Sequence, residues 1–105
     1  MTFKLGDGMS LGVSSAPTQI EGGENNHRWN DWYRQGRITD GSNPARATDH
    51  WNRWREDADL MADMGIKHYR LGIEWARICP AQGSVDEAAV AHYREELTYL
   101  RTKGI

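Results

Sequence analysis

Two short stretches hold the side chains whose types and spacing could do chemistry. They are Gln19 and Glu21 in APTQIEGG, residues 16–23, and Arg70 and Glu74 in KHYRLGIEW, residues 67–75. Gln19 carries two N–H donors and one carbonyl acceptor on a rigid, uncharged plane. That chemistry suits either a ligand with neighbouring polar groups or the capping of a loop. Arg70 and Glu74 have the same parity in an alternating run, so they share one face with His68 and could form an ion pair there. Arg77 is a second cation that Glu74 could meet. His50, His68 and His92 are too scattered in pattern to read as metal ligands, and they are expected to be packing or surface residues; no metal or cofactor is expected.

Composition narrows the classes. The 105 residues carry 13 basic and 15 acidic side chains, a net charge of −2, spread along the chain without a basic stripe. That balance argues against nucleic acid as a partner. An apolar fraction of 38% is too low for a membrane span, so one modest soluble domain is expected. A single cysteine, Cys79, excludes an internal disulfide framework, and the start MTFKLGDGM has no long apolar run of a secretory signal, so a reducing cytoplasm is the expectation. Five tryptophans and four tyrosines stand against one phenylalanine. Such amphipathic rings serve as core filler or as platforms in wet binding surfaces.

The elements that must position these residues follow from periodicity. Leu11 and Val13 open a short strand that ends near Ala16 and Pro17, because proline removes a donor and biases its predecessor away from helix. Residues 18–47, rich in Gly, Asn and Asp, read as one long loop in which Trp29, Trp32 and Tyr33 could form a helical turn. A helix is expected over 48–65, with Trp51, Trp54, Ala58 and Met61 on its apolar face, Thr48 as N-cap, Gly65 at its end, and Arg53–Asp57 and Arg55–Asp59 as surface pairs. Residues 67–75 alternate as a second strand, which puts Trp75 outward against a helix. The next helix is expected to begin at a Ser84/Glu87 capping box, to bury Val90, Tyr93, Leu97 and Leu100, and to stop at Gly104.

Strand, helix, strand, helix implies parallel pairing. Strand two has a polar face, and a doubly wound sheet would cover both faces with helices. A closed barrel resolves the conflict, since one strand face then looks into the barrel, whose carboxyl end opens as a site. Gln19 and Glu74 would both lie at that mouth.

TQIEGG after a strand, followed by DHWNRWREDADLMADMGIKHYRLGIEWARICP, resembles the N-terminal quarter of a family 1 glycoside hydrolase, the β-glucosidase and β-galactosidase family. The likeness runs from LGVSSAPTQIEGG to YLRTKGI. Thr18 stands where the family usually has tyrosine, and LGIEW replaces the commoner aromatic-Ser-Ile-Ser-Trp, which puts fine substrate preference in question. The resemblance implies an α/β fold, with residues 1–105 supplying the first two βα units of a (β/α)8 barrel.

The resemblance also implies roles. Gln19 matches the residue that binds sugar hydroxyls in the cleavage subsite. Arg70 matches the arginine that hydrogen-bonds the nucleophilic glutamate. By the same resemblance Glu21 is not a catalytic carboxylate but accepts backbone or arginine hydrogen bonds that fix the loop. For Glu74 the residues themselves favour pairing with Arg70 or Arg77 over direct sugar contact, a supporting place behind the site like that of Glu21. The implied reaction is retaining hydrolysis of a β-linked glycoside, whose acid and nucleophile follow the fourth and seventh strands of the family and are absent from these 105 residues. The chain alone is therefore expected to be inactive and loosely packed. Two alternatives stay open: a non-catalytic piece that binds sugar weakly, and a 6-phospho-β-glycosidase.

Overall fold

The computed structural model describes residues 4–24 and 26–105. The first three residues, which open the stretch read for a secretory signal, and Asn25 of the long loop lie outside the described residues. The elements in order are β1 (Gly12–Ser14), α1 (Pro17–Ile20), α2 (Arg28–Arg34), α3 (His50–Asp63), β2 (His68–Arg70), α4 (Trp75–Ile78) and α5 (Glu87–Thr102). The two strands pair in parallel, with Gly12 opposite His68, Val13 opposite Tyr69 and Ser14 opposite Arg70. A helix-length crossover, α3, is what allows that direction.

The expected order of elements is present, with local corrections. The loop expected over residues 18–47 holds all but the first residue of the single turn α1, and the two-turn helix α2, which carries Trp29, Trp32 and Tyr33. The second strand is only His68–Arg70, and the chain then runs without regular structure to Glu74, whose backbone is extended, before turning into α4. Thr48 does not cap α3. Asp49 occupies that place in a left-handed conformation, φ 58°, and Thr48 spends its backbone N–H and its hydroxyl on the carbonyl of Ile20. The N-cap of α5 is Asp86, whose Oδ1 accepts from the N–H groups of Ala88 and Ala89 at 2.9 and 3.1 Å. Ser84 folds back onto Ala81 instead. The chain at Asp86 is still extended, so the helix begins two residues later than the Ser84/Glu87 box requires.

The core forms where α3 lies on α5. Trp54, Ala58, Ile66, Ala89, Tyr93 and Leu100 are buried, and each large apolar side chain removed from water contributes about 1.5–3 kcal/mol. Trp54 meets the edge of Tyr99 with ring centroids 5.5 Å apart, and Trp51 stacks on His92 at 3.6 Å. The buried line of α5 is Ala89, Tyr93, Glu96 and Leu100, while Leu97 is exposed and Val90 half-buried. α5 is thus rotated from the expected stripe, because the face of α3 that it meets offers His50 as well as Trp54.

The expected pairs within α3 are replaced as well. Arg53 bonds Glu56, Arg55 reaches across to Glu95, Asp57 holds His50, and Asp59 takes Lys103 and Tyr99. Packing two helices side by side brought in partners that spacing along one helix cannot show. Among the described residues no helix is long and apolar enough to cross a membrane.

Candidate active-site rim

Gln19 sits on α1, the single turn that follows β1. Pro17 opens that turn at its first positions, where a missing N–H costs nothing. The Pro17 ring packs on Gly72, and a Cβ at 72 would stand 2.6 Å from the proline Cδ. At the other end Gly22 adopts φ +74°, and a Cβ there would be 2.2 Å from the Arg46 carbonyl oxygen. Both demands explain glycine at position 22. The Gly23 N–H donates to the Ala45 carbonyl at 2.8 Å and the Trp51 N–H to the Glu21 carbonyl at 3.1 Å, which fastens the turn to the returning loop and to the first turn of α3.

The side chain of Gln19 is exposed and lines an open cavity of about 450 Å³ with Thr18, Trp29, Ile38, Asn43 and Pro44. Its amide has no hydrogen-bond partner among the described residues, so the loop-capping alternative finds no support. Both donors and the acceptor remain available to a bound molecule. Trp29 is more than half exposed, and Trp32 and Tyr33 on the same helix are exposed to a lesser degree, so the tryptophans divide: Trp54 is core and Trp29 is surface.

Glu21, two residues on, points the other way and is buried. Its Oε1 accepts from the Tyr93 hydroxyl at 2.5 Å, and its Oε2 accepts from Arg77 Nε at 3.2 Å. Arg77 Nη2 also donates to the Gly22 carbonyl at 2.7 Å, and the guanidinium lies 3.7 Å over the Trp51 ring. Burial pushes the Glu21 carboxyl above its ordinary range, and the hydrogen bonds of Tyr93 and Arg77 only partly oppose this. Burial, reinforced by Glu21, likewise raises the Tyr93 phenol, which stays a donor at every ordinary pH. The same phenol oxygen accepts from the Glu74 N–H at 3.0 Å.

Arg70 ends β2 and is exposed. Its carbonyl accepts from the Ser15 N–H at 3.1 Å, which extends the pairing of the strands. Among the described residues its guanidinium has no ion-pair partner. The expected pairing of Glu74 with Arg70 or Arg77 is not formed. Glu74 caps α4 instead, with Oε1 accepting from the Ala76 N–H at 3.2 Å, and its Oε2 accepts from the Thr18 hydroxyl at 3.5 Å. The helix start offered an unsatisfied N–H next to the carboxylate, and Arg77 was already held by Glu21. Gln19 and Arg70 both lie at the carboxyl end of the parallel pair, Gln19 on the turn after β1 and Arg70 on the last residue of β2.

Sequence reading missed two contributors. Spacing alone presents Arg77 only as a partner for Glu74, and Tyr93 only as part of a buried stripe. The available signal was the phenol itself, since a buried tyrosine hydroxyl requires a polar partner. Among the described residues no group of three or more His, Cys, Asp or Glu side chains converges as a metal site.

The family model for glycosyl hydrolase family 1 matches residues 2–105. A β-glucosidase 1B of Phanerodontia chrysosporium is 40% identical over 103 residues, covering 90% of this chain and 19% of the relative. A probable inactive β-glucosidase 14 of Oryza sativa subsp. japonica is 42% identical over 103 residues, 90% of this chain and 20% of the relative. The solved family 1 β-glucosidase of Thermotoga maritima superposes with a TM-score of 0.86 at 33% identity, over 97% of this chain and 24% of that one. The chain spans about a fifth of the length of the curated relatives it matches. Its two parallel βα units are the N-terminal part of the (β/α)8 barrel of these enzymes. By sequence match and by fold, the chain belongs to glycosyl hydrolase family 1.

Proposed function

We propose that these residues form part of a retaining β-glycosidase that hydrolyses β-glucosides or β-galactosides. The observation that carries this reading is the shared carboxyl edge. Among the described residues, Gln19 presents an amide without a hydrogen-bond partner to an open cavity there, and Arg70 presents a cation without a paired carboxylate. A sugar hydroxyl both donates and accepts, so one amide can hold two neighbouring hydroxyls. A guanidinium beside a carboxylate favours its ionised, nucleophilic form.

In the retaining reaction a carboxylic acid protonates the leaving oxygen while a carboxylate about 5 Å away attacks the anomeric carbon, and water then opens the glycosyl-enzyme. On this reading both glutamates come from polypeptide other than these 105 residues. Gln19 binds and orients the sugar, and Arg70 holds the nucleophile charged and in place.

The test is the anomer released first from an aryl β-glucoside by the full-length polypeptide that carries these residues, followed by proton NMR. The β-anomer should appear first and mutarotate later. First release of the α-anomer would exclude a covalent glycosyl-enzyme, and binding without release would favour the non-catalytic alternative.

A further inference from the structure

We propose that Tyr93 is a positioning residue for Gln19, acting through the buried carboxylate of Glu21; the proposal rests on the reading of Gln19 as a sugar ligand. α1 has four residues, and a single helical turn is not self-sustaining, since nucleating it fixes more dihedral angles than its hydrogen bonds offset. Its geometry must therefore be imposed from outside. Between Pro17 and Glu21 the one side chain sealed from water is that of Glu21, which points inward as Gln19 points outward. Where the Glu21 carboxylate is held, the backbone two residues before it is held.

Tyr93 is suited to do the holding. It projects from the middle of α5, a sixteen-residue helix, and is itself 3% exposed. Its hydroxyl donates to Glu21 Oε1 at 2.5 Å and accepts from the Glu74 N–H at 3.0 Å. One phenol oxygen thus ties the turn after β1 to the segment after β2, the two sides of the rim. Arg77 secures the other carboxylate oxygen, but it stands on the four-residue α4 and leans on Trp51, so its own place is less independent.

The experiment is a double-mutant cycle in the full-length polypeptide, with kcat and KM measured on an aryl β-glucoside. Tyr93→Phe keeps the ring and removes only the hydroxyl. A displacement of the sugar-binding amide by a fraction of an ångström should lower kcat/KM about tenfold. In the Gln19→Ala background the same change should cost less than about twofold, because the residue it positions is gone. A merely structural tyrosine would cost the same in both backgrounds, and that result overturns the proposal while leaving Gln19 as a ligand. A Gln19→Ala enzyme with unchanged kinetics would remove the ligand reading, and the proposal with it. Should Tyr93→Phe not yield folded protein, Glu21→Gln, which keeps shape and loses charge, takes its place in the cycle with the same criteria.

Discussion

His50 Nε2 and Glu96 Oε1 lie 2.8 Å apart where α3 crosses α5, and both residues are almost sealed from water. The other ring nitrogen, Nδ1, is 2.6 Å from Asp57 Oδ2. An imidazole flanked by two carboxylates satisfies both only when it is protonated, because the neutral ring has one N–H. Burial works against the charge, but the hydrogen bonds and charges of Glu96 and Asp57 outweigh it and raise the His50 pKa.

A group whose folded pKa lies above its unfolded value of about 6.5 contributes stability below that pH and loses it as pH rises through the folded pKa. Glu96→Gln should therefore destabilise most near pH 5.5 and progressively less at alkaline pH. Breaking one side of a buried pair costs on the order of 3 kcal/mol. Thermal unfolding of the full-length polypeptide that carries these residues, with and without Glu96→Gln, across that pH range checks it, and a difference in Tm that grows toward alkaline pH would reverse the assigned sign.

Gln19→Ala should lower kcat/KM on an aryl β-glucoside by more than about tenfold, roughly 1.4 kcal/mol, because the amide's bonds to hydroxyls tighten as the ring distorts toward the transition state. Folding should be little affected, since the side chain is exposed and holds nothing else in place. Kinetics unchanged within about twofold would remove Gln19 from the site.

Arg70→Met keeps much of the stem and deletes the charge. If the guanidinium serves the nucleophile, the acidic limb of the pH–rate profile should move to higher pH, as the carboxylate loses the cation that favours ionisation. A limb that stays in place with normal kcat would assign Arg70 to structure alone.

Residues 1–105 expressed alone should associate and show no glycosidase activity. Ile73, Trp75 and Leu97 are exposed, and with Ile78 and Val90 they line an apolar groove of about 680 Å³. Among the described residues the two-stranded sheet has both outer edges open. Light scattering and an aryl-glycoside assay decide this; a monomer with a sharp unfolding transition would contradict it.

The two long helices, the parallel strands and the place of Gln19 beyond β1 were legible in the sequence, because each rests on local periodicity or on proline chemistry. What was not legible depends on partners distant in sequence. Tyr93 finds Glu21, Arg55 finds Glu95 and His50 finds Glu96 only once α5 has docked. Glu74 shows the other limit. Alternation continues unbroken through residue 75, and nothing in that pattern signals that the backbone leaves the sheet after Arg70 and turns a strand-face carboxylate into a helix cap.

The contact of Pro17 with Gly72 makes two positions far apart in the chain answerable to each other. A ring at 17 forbids any side chain at 72, and a side chain at 72 would push the turn bearing Gln19 off its seat. Randomising position 72 alone should return glycine, whereas randomising both together should admit pairs in which the ring at 17 has been given up. Substitutions at the two sites are thus coupled in whatever order they arise, and the shape of the rim restricts the routes by which this sequence can change.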